Sequence, residues 1–254
     1  MSFRCDLGGA SRQRACRVAG AILTCRRKHG GHPLQVHTDS DNLSSARRWL
    51  AIALVSLAGL GLLTAAVMSK TVLPFDKPWL DLAMSSTAYQ GVWNLFSEAG
   101  NLPMIPIGIG LVGWLWYKKR RREAVLVLLL FAAATAGSEG LKALVARPRP
   151  QGGGAGIPGV VYSYPSGHSW EDSMILGMVG MNVFRYARAR WVPIVFTVLV
   201  ITFIAAVCVA RVALGVHYPS DMLAGLFGGI GILGLYAWWS RPGSWADHPP
   251  LRGT

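Results

Sequence analysis

Charge is what this sequence has little of. Only 15% of its 254 residues are charged, and acids are the scarcer sign, 12 Asp and Glu against 25 Lys and Arg. A water-soluble domain carries about 25% charged residues, so an ordinary soluble surface is excluded for most of the chain. Cysteine is also scarce. Cys5, Cys16, Cys25 and Cys208 form no CxxC pair and no Cys/His ligand spacing, so neither a zinc site nor a disulfide framework is supported. The alternating pattern of a β-barrel is missing as well. The glycine-rich run QGGGAG at 151–156 is followed by no Walker lysine, which excludes a nucleotide loop and leaves a flexible outer loop.

What is abundant is apolar: 52% of the residues are hydrophobic. They gather in six runs, Leu50–Met68, Leu102–Tyr117, Ala124–Val145, Ser166–Phe184, Trp191–Ala210 and Met222–Trp239. A membrane-spanning helix needs about 17–25 residues. Only a helix satisfies its own backbone inside lipid outside a closed barrel. The expected fold is therefore all-α, an integral-membrane bundle of six transmembrane helices spanning residues 49–240. Residues 1–48 read as a basic, poorly ordered cytoplasmic tail and 241–254 as a short cytoplasmic tail. The fourth run opens on polar residues and would escape a hydropathy scan.

The formal net charge of +13 raises nucleic-acid binding as a reading. The basic residues, however, lie in short blocks between apolar runs. Nine precede the first run, KKRRR occupies 118–122, and Arg185, Arg188 and Arg190 follow the fourth run. By parity these blocks share one side, which the positive-inside bias makes cytoplasmic. No nucleic-acid partner is expected; the partners are a bilayer and a membrane lipid substrate, with no required protein partner evident. Both termini are then inside, which suits a bacterial inner membrane. The long outer connection 69–101 carries Trp79, Leu82, Trp93 and Leu95 and suggests amphipathic helix, either a ledge for lipid access or a packed connecting helix.

Three polar clusters interrupt the apolar background, where ionisable residues are costly and usually functional. They are Lys142 with Arg147-Pro148-Arg149-Pro150, then Pro165-Ser166-Gly167-His168, then Arg211 with His217 and Asp221. Span parity brings all three to the outer face. Lys142, Arg149 and Arg211 are cations with no matching excess of carboxylates, a set suited to a phosphate dianion. Ser166 and Gly167 stand where a loop enters a helix, with backbone N–H groups available to an anion. Asp221 follows His217 by four residues, and a helix starting near Pro219 would let the carboxylate fold back onto the imidazole. That makes His217 the better nucleophile candidate and leaves His168 as general acid. Arg147 has two open readings, a phosphate ligand or an interface anchor. Glu139 is placed to position or neutralise Lys142. Glu171 and Asp172 read as first-turn acids that suit the helix dipole. Gly225, Gly228, Gly229 and Gly231 read as close-packing positions in the last span.

The runs KALVARPRP, PSGH and ARVALGVHYPSD resemble the three-part signature of the type-2 phosphatidic acid phosphatase superfamily, with every internal spacing kept. The resemblance implies a six-helix membrane core and cofactor-free, metal-independent hydrolysis of a lipid phosphate or diphosphate through a phosphohistidine. It implies phosphate binding by Lys142, Arg149, Ser166, Gly167 and Arg211, with His217 as nucleophile, His168 as proton donor and Asp221 as support. Undecaprenyl diphosphate is the single best substrate guess. Phosphatidic acid, phosphatidylglycerol phosphate and lipid A phosphates are alternatives, as are a lipid phosphotransferase on the same site and, from another class, an inactive scaffold or flippase. One position departs from the pattern: Ala210 stands where the family has Ser.

Overall fold

The computed structural model describes residues 13–18, 21–26, 39–85, 89–101, 103–150 and 162–240. A two-stranded antiparallel hairpin, β1 (Gln13–Val18) and β2 (Ala21–Arg26), precedes the helices. Among the described residues eight helices follow: α1 (Asp39–Ser69), α2 (Asp76–Met84), α3 (Gln90–Ala99), α4 (Met104–Tyr117), α5 (Arg121–Val145), α6 (Gly167–Tyr186), α7 (Trp191–Ala213) and α8 (Pro219–Ser240). Over most of its described residues each of the six apolar runs coincides with a helix, α1 or one of α4 to α8. The glycine-rich run 151–156, most of the N-terminal tail and residues 241–254 lie outside the described residues.

Among the described residues, five segments are long and apolar enough to cross a membrane: Leu43–Ser69, Gln90–Tyr117, Arg121–Val145, Trp191–Ala213 and Pro219–Ser240. The second joins α3 to α4, which gives the short apolar run at 102–117 the length it lacks alone. Helix α6 is absent from the set because it carries polar residues, and these face inward: Ser169, Asp172, Ser173 and Asn182 are all buried. Outward-facing side chains are the apolar ones. Val55, Leu62, Leu129, Leu199 and Ile201 are all more than half exposed. A band of that kind belongs against lipid rather than water.

Helix α8 is the hub, packed against α1 on one side and α6 on the other. Its glycines decide how close those helices come. A Cβ on Gly225 would stand 2.1 Å from Ser169 Oγ, and one on Gly229 would stand 1.9 Å from Ser173 Oγ. On the other face, a Cβ on Gly231 would meet Leu57 at 2.9 Å. Without a hydrophobic driving force between helices in lipid, small residues allow the backbone approach that van der Waals packing requires. This brings the starts of α6 and α8 together, and the site lies there.

The connection between α1 and α4 is folded as packed helices. Leu80 of α2 is buried with Val212 and Met222, while Trp79, Leu82 and Leu95 point outward. At the opposite end of the bundle, buried Glu123 accepts hydrogen bonds from Arg185 (3.0 Å) and Tyr236 (2.8 Å) and pairs with Arg120. That network ties α5, α6 and α8 together far from the three motifs.

Candidate active site

Local rules set each motif. Helix α7 ends in a Schellman turn: the Val216 N–H donates to Arg211 O (3.2 Å) and the Gly215 N–H to Val212 O (2.9 Å). Gly215 takes φ 65°, a conformation that glycine adopts at no steric cost. Four residues after Gly215 the chain starts α8 at Pro219. Asp221, third in that helix, reaches back to the Tyr218 N–H at 2.8 Å, the carboxylate half of a capping box. The spacing from Arg211 to His217 to Asp221 is thus one helix end, one reverse turn and one helix start.

The motifs are then pinned to one another through backbone. Pro148 and Tyr162 form an isolated antiparallel bridge, and the Ser163 N–H donates to Arg147 O at 2.9 Å. The Ser166 N–H donates to Asp221 O at 3.0 Å, and Arg149 Nη1 donates to Val216 O at 2.8 Å. Ser166 is the N-cap of α6, so the next N–H groups open toward the site. Its Oγ is buried and has no hydrogen-bond partner among the described residues. Lys142 Nζ lies 3.8 Å from where a Gly167 Cβ would stand. Lys142 pairs with Glu139 at 2.6 Å, an exposed contact of small worth that an arriving anion can displace.

His217 is buried. Its Nδ1 lies 2.8 Å from the Ser163 carbonyl oxygen and 3.5 Å from Asp221 Oδ2. Both neighbours are acceptors, so Nδ1 carries the proton and Nε2 keeps its lone pair. Nε2 lies 3.5 Å from Arg149 Nη1. Burial above all pulls the His217 pKa down to about 4, against the raising effect of Asp221 and with Arg211 and Arg149 adding to the fall. The neutral, nucleophile-competent imidazole therefore prevails at neutral pH. His168, in the first turn of α6, has a buried Nε2 with no hydrogen bond among the described residues. Arg211 Nη1 donates to Ser97 Oγ at 2.7 Å.

Residues 123–245 match the PAP2 superfamily, a stretch that covers α5 to α8 and all three clusters. Over that segment the chain is similar to the PAP2 superfamily. The architecture also resembles a crystal structure described as the first transmembrane PAP2-type phosphatidylglycerolphosphate phosphatase from Bacillus subtilis. The TM-score is 0.61 at 21% identity, over 72% of this chain and 93% of that one. No curated protein matches the chain at a significant level.

The matched segment brings the sequence-derived residues to one end of the bundle through the contacts above. Two expectations change. Arg147 is 1% exposed and held between Asp76 (2.6 Å) and Asp221 (2.5 Å), so its guanidinium faces carboxylates rather than a phosphate pocket. Glu171 and Asp172 lie beyond the first turn of α6, because the helix begins at Gly167. Asp172 is fully buried, and neither of its oxygens has a hydrogen-bond partner among the described residues. Sequence reasoning passed over Asp76, Ser97 and Ser163. Asp76 carried a usable signal: an arginine buried in a membrane bundle demands an acid, and the outer connection held few. Ser163 acts through its backbone carbonyl, which no side-chain pattern reveals.

Proposed function

We propose that the chain is a membrane phosphatase that hydrolyses a lipid phosphate or diphosphate through a phosphohistidine on His217. The observation that carries this reading is the polarity of the His217 ring. One nitrogen faces two oxygen acceptors, and the other, unprotonated, turns toward the cationic group of Arg149, Arg211 and Lys142. Those three cations, with Ser166 and the N–H groups that open α6, hold the phosphate and offset its charge. His217 Nε2 forms the N–P bond as the P–O bond to the lipid breaks, and His168 gives its proton to the departing oxygen. Water then attacks phosphorus, His168 takes the water proton, and the N–P bond breaks to release inorganic phosphate. None of these steps calls on a metal ion, so release is expected to persist in chelator.

A lipid rather than a soluble ester is favoured by an apolar groove of about 400 Å³ between α4, α6 and α7, lined by Met104, Ile107, Leu176, Phe196, Val200 and Phe203. Leu176 stands on the His168–Asp172 row of α6, and Phe203 on the Arg211–Val207 row of α7, rows spaced four residues apart. A hydrocarbon tail in the groove therefore keeps its phosphate near Arg211. The Lys/Arg bias supports a site on the outer face, in a bacterial inner membrane. Outer-face chemistry selects undecaprenyl diphosphate as first choice, because that carrier is released there. Phosphatidylglycerol phosphate, named for the Bacillus subtilis neighbour, is the leading alternative.

The test is free-phosphate release from purified protein in detergent, across undecaprenyl diphosphate, phosphatidylglycerol phosphate, phosphatidic acid and lipid A. His217→Ala is expected to abolish release and His168→Ala to cut it by about 10²–10⁴-fold. Near-normal release from either variant would sink the mechanism. Label found on an acceptor lipid instead of in solution would make the protein a phosphotransferase.

A further inference from the structure

Arg147, Asp76 and Asp221 form a closed ion cluster with no exposed side-chain surface. The arginine divides its fork. Nη1 donates to Asp221 Oδ1 (2.5 Å) and Ser220 Oγ (2.7 Å), and Nη2 donates to Asp76 Oδ2 (2.6 Å). Asp76 also accepts from the Ser220 N–H (2.9 Å), from Ser220 Oγ (2.8 Å) and from the Leu73 N–H (3.0 Å). The Tyr218 ring covers the guanidinium at 4.0 Å. One cation against two carboxylates leaves the cluster at −1.

A buried ion cluster of this kind is weak evidence for stability, since desolvating the charges offsets their attraction. Its place directly behind Asp221 points to another purpose. We propose that Asp76 and Arg147 are positioning residues for the reaction at His217: Asp76 takes one branch of Arg147, and so leaves Asp221 its negative charge toward the imidazole. The inference rests on His217 being the nucleophile. Were Asp76 neutral, Arg147 would offset Asp221 alone and the cluster would fall to zero charge. The imidazolium formed on phosphorylation would then face a neutral Arg147–Asp221 pair in place of a cluster with net negative charge. Because Asp76 opens α2, the docking of the outer connection is coupled to the nucleophile.

The other charged and titratable groups around His217 are Arg149 from the α5–α6 loop, Arg211 from α7, and His168 from α6 with Lys142 beyond it. All stay in place in the variants below, so charge changes in the cluster can be read against a constant background.

The experiment follows the His217 ring by NMR in full-length, histidine-labelled protein in detergent, with His217→Ala supplying the assignment. Asp76→Asn takes the cluster from −1 to 0 and is expected to lower the His217 pKa. Arg147→Gln takes it from −1 to −2 and is expected to raise that pKa by about 1 unit or more. The double variant Asp76→Asn/Arg147→Gln restores −1 and is expected to titrate close to wild type. It also keeps the test open should Arg147→Gln alone fail to fold, with two carboxylates buried unpaired. Turnover of phosphatidic acid in micelles by Asp76→Asn is expected to fall about tenfold in kcat with KM little changed, equivalent to about one pKa unit of lost charge stabilisation. A His217 titration unmoved by Asp76→Asn, or moved the same way by all variants, would overturn the proposal. If His217→Ala itself keeps turnover, the failure lies in the phosphohistidine reading. If His217→Ala is dead while Asp76→Asn matches wild type in rate and titration, only the relay is wrong.

Discussion

His217 Nδ1 lies nearer to the Ser163 carbonyl oxygen, at 2.8 Å, than to Asp221 Oδ2, at 3.5 Å. A backbone carbonyl only accepts, so the tautomer is held even without the carboxylate. In hydrolase triads, converting the acid to its amide costs about 10⁴-fold largely because the ring adopts the wrong tautomer. Asp221→Asn in this chain is expected to lose charge stabilisation but keep the tautomer, with kcat falling clearly less than that. A loss of about 10⁴-fold in phosphate release would show that Asp221 alone holds the ring.

The buried His217 ring sets a pH dependence. Its pKa falls to about 4 in the folded protein from an ordinary 6.5. Between those values the unfolded chain binds the proton and the folded chain does not, so stability rises with pH through this window and levels off above it. Thermal unfolding in detergent is expected to show a falling Tm from pH 6.5 toward 4, a fall that shrinks in His217→Gln. Phosphate release is expected to keep its neutral nucleophile down to about pH 4. An acid limb set by His217 near 6.5 would contradict the burial argument.

Arg211 is oriented by Ser97 across 114 positions of sequence. Ala210, next to it, has no hydroxyl where the family pattern has Ser, and Ser97 Oγ of α3 accepts from the Arg211 guanidinium. Ser97→Ala is expected to raise KM about tenfold with a smaller change in kcat, the equivalent of one charge-assisted hydrogen bond. Phosphate-release kinetics check the split. An unchanged KM would mean that Arg211 finds its place without α3.

The contact between α6 and α8 depends on two glycines. Gly225→Ala and Gly229→Ala would drive a methyl group into Ser169 and Ser173, at 2.1 Å and 1.9 Å from their Oγ atoms. Backbone of α6 stands 2.4 Å away in both cases, so rotation of the serines does not clear the space. Each variant is expected to lose about 1–3 kcal/mol or more, read as a lower Tm. Gly110→Ala in α4, with no neighbour within 4 Å, is the matched control and is expected to be neutral or slightly stabilising. Phosphate release should fall with Tm in the first two, because the same contact aligns Ser166 with Asp221.

Much of the architecture is legible along the chain. The apolar runs mark the long helices, and alternation of side brings the three polar clusters to one end. Helix α6 is the instructive case. Hydropathy misses it because it carries polar side chains; these turn inward toward α8 and α7, and that orientation depends on the partner helices. Likewise Arg147 reads equally well as anchor or ligand until Asp76 is seen beside it.

The sequence by itself determined the membrane-embedded helical class, the order and spacing of the motif residues, and the local turns that deliver them, including the Gly215 reversal and the Asp221 cap. These are short-range properties: hydropathy, backbone freedom and hydrogen bonds within a few residues. Only the tertiary structure decided which groups share a buried charge or proton. Asp76 with Arg147, Ser97 with Arg211 and Ser163 with His217 are pairs separated by 71, 114 and 54 positions. In a low-dielectric interior a buried charge must find its partner wherever the packing brings one. Along the chain nothing marks that partner, because the close approach of α6 to α8 and the folding of α2 and α3 over the site are what bring each pair within reach.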